Sequence, residues 1–185
     1  AGHNFGNGNG GDVSVETGRS TVEQAESGSI SLKTAASQTT GGIAIETGAA
    51  TAVGSSGGVD IRTGDSSNAK AGDVSISTGM GSSGVGSSIN ILQRDTDTET
   101  GLPGQINVIS GSNFAGGMVH IAAGSGDDAG HILIDSGTTD SGNSGSLRLQ
   151  SGASTSADSG DIDIAVGQAL STGGSITMMA GSSAN

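Results

Sequence analysis

One short phrase is written twelve times along this chain, and it constrains the fold more than any other feature. Two aliphatic residues stand either side of a single residue, usually entered from Gly and left through Thr-Gly or Ser-Gly. The copies read GDVSVETG, GSISLKTA, GIAIETG, GVDIRTG, GDVSISTG, SINILQ, QINVIS, MVHIAAG, HILIDSG, SLRLQSG, DIDIAVG and SITMMAG. The first aliphatic position is Val13, Ile30, Ile43, Val59, Val74, Ile89, Ile106, Val119, Ile132, Leu147, Ile162 and Ile176. The second is Val15, Leu32, Ile45, Ile61, Ile76, Ile91, Val108, Ile121, Ile134, Leu149, Ile164 and Met178. All 24 are Val, Ile, Leu or Met, although these types make up about a fifth of the chain.

Alternation with a period of two, bounded by Gly, is the pattern of a strand with one buried face. Successive copies are 13 to 17 residues apart. One unit of that size cannot bury its own apolar face, but stacked neighbours can. The pattern therefore predicts an all-β, single-domain parallel β-solenoid of about twelve coils. Residues 1–10 form a flexible Gly/Asn leader and 11–185 the repeat domain. An antiparallel meander is the rival, but it calls for loops of two to five residues. The constant direction of the phrase favours the solenoid.

Stacking would bring equivalent positions close together. The residue after the second aliphatic reads Glu16, Lys33, Glu46 and Arg62 over the first four copies, so that opposite charges alternate. Arg148 and Asp163 would be neighbours in the same way, and Asn90 and Asn107 would form a short amide ladder. Thr17, Thr34, Thr47, Thr63 and Thr78 hold a common register and are expected to hydrogen-bond at the turns. The Gly that follows is expected to supply positive φ at the corner.

Composition limits what else the chain can be. There are 36 Gly, two Phe, no Trp or Tyr and no Cys in 185 residues. Aromatics supply much of the buried area in an ordinary core, so any layer here has to be thin. A net charge of −12 with six Lys and Arg leaves no basic patch for nucleic acid or an anionic membrane surface. No apolar run approaches the ~18 residues of a membrane span. AGHNFGNGNG contains no legible signal peptide, which fits a mature chain or an excised segment.

Motif matches are few, and most follow from composition. GNGNGG at 6–11 fits a dinucleotide-binding spacing but follows no strand and opens no helix. GSSGG at 54–58 fits a nucleophile elbow without its context. Asp95, Asp97 and Glu99 in RDTDTETG are the candidate calcium ligands, although the EF-hand Gly and Glu are missing. His120 and His131 fall in different registers of adjacent copies, which argues against a shared metal. No catalytic residues, cofactor or further metal ligands are expected. Leu92, Ile109 and Phe114 make a candidate lateral contact patch, with Leu102 and Pro103 as residues that could cover it.

Strings such as GGVDIRTG, AGDVSISTG and GDIDIAVG resemble the Gly/Ser/Thr-rich repeat regions of surface and secreted structural proteins of diatoms and related algae. The resemblance covers essentially the whole chain. It implies a non-catalytic structural protein, extracellular or at the cell surface, in a fibre, coat or adhesin stalk. Its expected partners are copies of itself, further repeats of the same chain, or a polysaccharide matrix. The ending MMAGSSAN follows directly on a phrase without an aromatic plug, so end-to-end stacking or continuation into further repeats is expected. Two alternatives belong to other classes: an ice-binding β-solenoid, and a calcium- or glycan-dependent surface adhesion module.

Overall fold

A computed structural model of the chain describes residues 9–22, 25–51, 54–94 and 103–183. No helix and no β-strand occurs among them, which corrects the expectation of an all-β solenoid. The phrases are instead free of bends, and the bends lie between them, at 22, 38–39, 67–69, 82–84, 113–115, 126–128, 140–142, 155–157 and 170–171. By its contacts the chain divides into two units, Ala1–Ile91 and Leu92–Asn185. Each unit carries six of the aliphatic doublets.

Neither unit has an apolar core among its described residues. No described residue is buried, and the doublets are open to solvent, from 49% exposed at Ile43 to 88% at Met178. The accessible surface is 19076 Å² for 17.5 kDa. A folded monomer of that mass exposes about 7,900 Å² and its unfolded chain about 25,000 Å². The chain thus stands much nearer the second figure. The few half-buried residues are hydroxylic: Thr17, Ser20, Ser110 and Ser151.

The physical reason lies in where each spacer goes. In a solenoid coil the chain must return, so that one phrase begins over the beginning of the last. Five residues of strand, about 17 Å, would then separate the end of a phrase from the start of the next. Here those two points touch. The Gly28 N–H donates to the Gly18 carbonyl at 3.0 Å, Gly117 to Gly111 at 2.8 Å, Gly130 to Gly124 at 2.9 Å and Gly145 to Gly137 at 2.9 Å. The spacer closes on itself and no return wall forms.

An antiparallel hairpin would begin from the same contact, but no further rung follows it. No hydrogen bond among the described residues is made by the backbone of a doublet residue. With two aliphatic side chains per repeat, too little apolar area is available to offset the ordering of some fifteen residues.

The bends between phrases are local side-chain turns. The Ser66 hydroxyl accepts from the Ala69 N–H, Thr139 from Ser141 and Gly142, and Ser154 from Ser156 and Ala157. Ser and Thr favour such turns because the hydroxyl stands in for a backbone acceptor two or three residues back. Among the described glycines only Gly84 has a positive φ, +77°. The glycines after Thr therefore do not serve as left-handed corners, contrary to expectation.

A chain held only by local turns has no cooperative unit to melt. At low concentration its urea profile, followed by far-ultraviolet circular dichroism, is expected to be a shallow slope without a sigmoidal transition. A cooperative transition with a large m-value in a monomeric sample would show that a core exists after all.

Candidate functional site

The closures between phrases share one register. The glycine involved stands two positions before the first aliphatic residue, and its backbone partner stands three positions after the second. Together they bound a constant eight-residue segment, for which GSISLKTA at 28–35 is an example; we call it the octet. Eleven of the twelve octets open with Gly, the exception being Ser87.

Nine of the glycines lie against the end of the octet before. A Cβ on Gly28 would sit 3.1 Å from the Thr17 Cβ, and one on Gly174 would sit 3.1 Å from Cγ1 of Val166. On Gly145 it would meet the Gly137 backbone nitrogen at 3.1 Å, and on Gly117 the Gly111 carbonyl oxygen at 3.3 Å. Gly104 approaches Gln93, Gly130 approaches Ala123, and Gly57, Gly72 and Gly160 make looser contacts with Thr47, Thr63 and Ser151. Gly41 has no such neighbour. These glycines are required for close approach rather than for unusual φ.

Where the partner carries a hydroxyl, a second bond can form. Thr17 Oγ1 donates to the Gly28 carbonyl at 3.0 Å, and Ser110 Oγ donates to that of Gly117 at 2.9 Å. The expected hydrogen bonding of the Thr register is therefore present at Thr17, directed to the next octet rather than up a ladder. Together the backbone and hydroxyl bonds make a clasp. The register of its glycine, two positions ahead of the doublet, was legible as a recurrence but not as a contact.

The other candidate residues are exposed or lie outside the described residues. Leu92 is 81%, Ile109 84% and Phe114 105% exposed, so Phe114 does not cover the other two. Pro103 is also exposed, and Leu102 lies outside the described residues. So do Asp95, Asp97 and Glu99. Among the described residues no group of three or more His, Asp or Glu could hold a metal ion, and no cavity is found. No helix among them is long and apolar enough to cross a membrane.

The charges pair locally. Arg62 reaches Asp60 of its own octet at 3.3 Å, and Lys70 reaches Asp73 at 2.7 Å. Arg148 hydrogen-bonds Gln150, also within its octet. Both ion pairs are well exposed and contribute little to stability. None of the ion pairs among the described residues joins Glu16 to Lys33, Glu46 to Arg62, or Arg148 to Asp163, as a stack of coils would require.

Among the described residues the arrangement gathers no three or more acids or metal-ligating side chains into a cluster. It presents a recurring apolar doublet whose own backbone makes no hydrogen bond among the described residues, with four of the polar loops between closed by a backbone bond. The chain matches no family model, no curated protein and no solved structure.

Replacing a tight glycine tests the clasp directly. Gly145→Ala would force its Cβ onto Gly137 and is expected to open that loop, leaving the other clasps intact. Amide exchange at position 145 should quicken by about three- to tenfold, the loss of one hydrogen bond of ~0.5–1.5 kcal/mol. Gly152→Ala, where nothing lies within 4 Å of the added carbon, is the matched control and should change nothing.

Proposed function

We propose that this chain is a non-catalytic structural repeat protein that builds an extracellular or cell-surface fibre, coat or adhesin stalk. It does so by associating with further copies of itself or with further repeats of the same chain. One observation carries the reading: every doublet, twelve in all, is open to solvent, and its backbone makes no hydrogen bond among the described residues. Twelve exposed apolar doublets at regular intervals are more than the scattered single apolar residues of an ordinary surface, and such surface marks an interaction site. Extended segments with free N–H and C=O groups add to it a template for pairing with another chain.

The remaining composition suits such a role. Ser, Thr and Gly spacers and a net charge of −12 keep the chain hydrated between its apolar segments, as a polysaccharide matrix would demand. The repeat places the same surface at regular intervals, so association at one octet favours association at the next.

Sedimentation velocity and electron microscopy across a concentration series are the test. The expected result is concentration-dependent growth into elongated particles, suppressed when Ile106, Val108, Val119 and Ile121 are together replaced by Ser. Monomers that persist at millimolar concentration would overturn the proposal.

A further inference from the structure

The octets also carry a charge pattern that the single chain leaves unused, and it selects how a second copy would lie along the first. This inference rests on the self-association just proposed. Glu16, Lys33, Glu46 and Arg62 occupy one octet position in four successive octets, alternating in sign. Arg148 and Asp163 share another position in adjacent octets, as do Asn90 and Asn107. Within the chain Arg62 turns to Asp60 and Arg148 to Gln150 instead.

Consider a second copy laid parallel and in register. Every residue then faces its own twin, and Glu16, Lys33, Glu46, Arg62, Arg148 and Asp163 all meet like charge, which directly opposed side chains disfavour. Shift that copy by one octet and the same positions become complementary. Glu16 faces Lys33, Lys33 faces Glu46, Glu46 faces Arg62, Arg148 faces Asp163, and Asn90 faces Asn107. Eleven of the twelve octets still overlap.

We infer that the occupant of the doublet surface is a second copy of this chain, parallel and staggered by one octet. Burying an aliphatic side chain removes about 60–120 Å² from water. Half of the 24 doublet side chains therefore reach the ~800 Å² per partner of a stable interface. The clasps make the stagger feasible. Gly117 lies seven positions after Ser110 and Gly28 eleven after Thr17, yet both closures end in the same contact. At these two closures a difference in spacer length leaves the join between octets unchanged. A stagger uses different surfaces on the two copies, so each addition exposes a fresh site and growth does not close.

The experiment rearranges charge without changing its sum, using the full chain in sedimentation velocity and light scattering. Glu16→Lys with Arg62→Glu keeps the net charge at −12 but sets like against like at two of the three junctions. It should raise the concentration needed for assembly by roughly tenfold or more. Adding Lys33→Glu and Glu46→Lys restores strict alternation with the signs reversed, and should return assembly to the parent level. A full-overlap antiparallel arrangement would give the reverse, because Glu16→Lys and Arg62→Glu would then face Ser175 and His131, while Lys33→Glu would face Asp161. Parent-like assembly of the double variant, or failure of the quadruple variant to recover, overturns the stagger while self-association stands. A parent chain that stays monomeric overturns both.

Discussion

The structure depends on how cheaply a short loop closes compared with a long one. Bringing the end of one octet to the start of the next closes a loop of seven to eleven residues. Returning the chain to build a wall would order the whole spacer before any apolar contact formed. Glycine at the approaching position tips this balance, because it lets Gly117 come within hydrogen-bonding distance of Gly111 without a Cβ between them. Once the short closure has formed, the spacer is committed to it. The next octet starts beside the end of the last, and the doublets of neighbouring octets are not stacked by the chain itself.

The doublets are left in a position that a single chain cannot improve. Val, Ile and Leu at every octet are the residues that would normally pay for folding, yet here the sheltered points are Thr17, Ser20, Ser110 and Ser151. Sheltering hydroxyls in clasps gives each loop a shape but contributes little global stability, since each net hydrogen bond is worth about 0.5–1.5 kcal/mol. The apolar contribution becomes available only when a second surface of the same kind arrives. Folding and association are then one process, with the ordering cost met at the moment of binding.

The recurrence of the doublet was legible from residue pattern alone, down to each of its 24 positions, and so was the break at each spacer. The solenoid drawn from that pattern was not correct. A period of two says that alternate side chains share a face; it does not say what covers that face. Inferring a stack assumed that the spacers run back, whereas the glycines two positions ahead of Ile30, Val119, Ile132 and Leu147 hold them shut. That recurrence was visible in Gly28, Gly117, Gly130 and Gly145, but Gly is so common here that its register was hidden among 36. The Thr-Gly ends were read as corners needing positive φ, while their actual demand is room for a neighbouring backbone. Leu92, Ile109 and Phe114 are all exposed, and residue pattern alone does not say what would cover them.

Charge then decides what kind of association the exposed doublets permit. Apolar segments of low sequence complexity, left to themselves, stack in register, because identical side chains match best with their own copies. Twelve surplus negative charges per chain oppose that outcome, since self-repulsion grows with each copy added in register. The six cations are too few to neutralise the chain, but Lys33, Arg62 and Arg148 stand in octets adjacent to the acids they could face. Lys70 and Arg62 both pair locally, with Asp73 and Asp60, so Arg62 joins this pattern by exchanging an exposed, weak ion pair. Placing scarce cations one octet away from acids at equivalent positions penalises the in-register stack and rewards the shifted one. The doublets supply adhesion that is indifferent to register, and the charges supply the register.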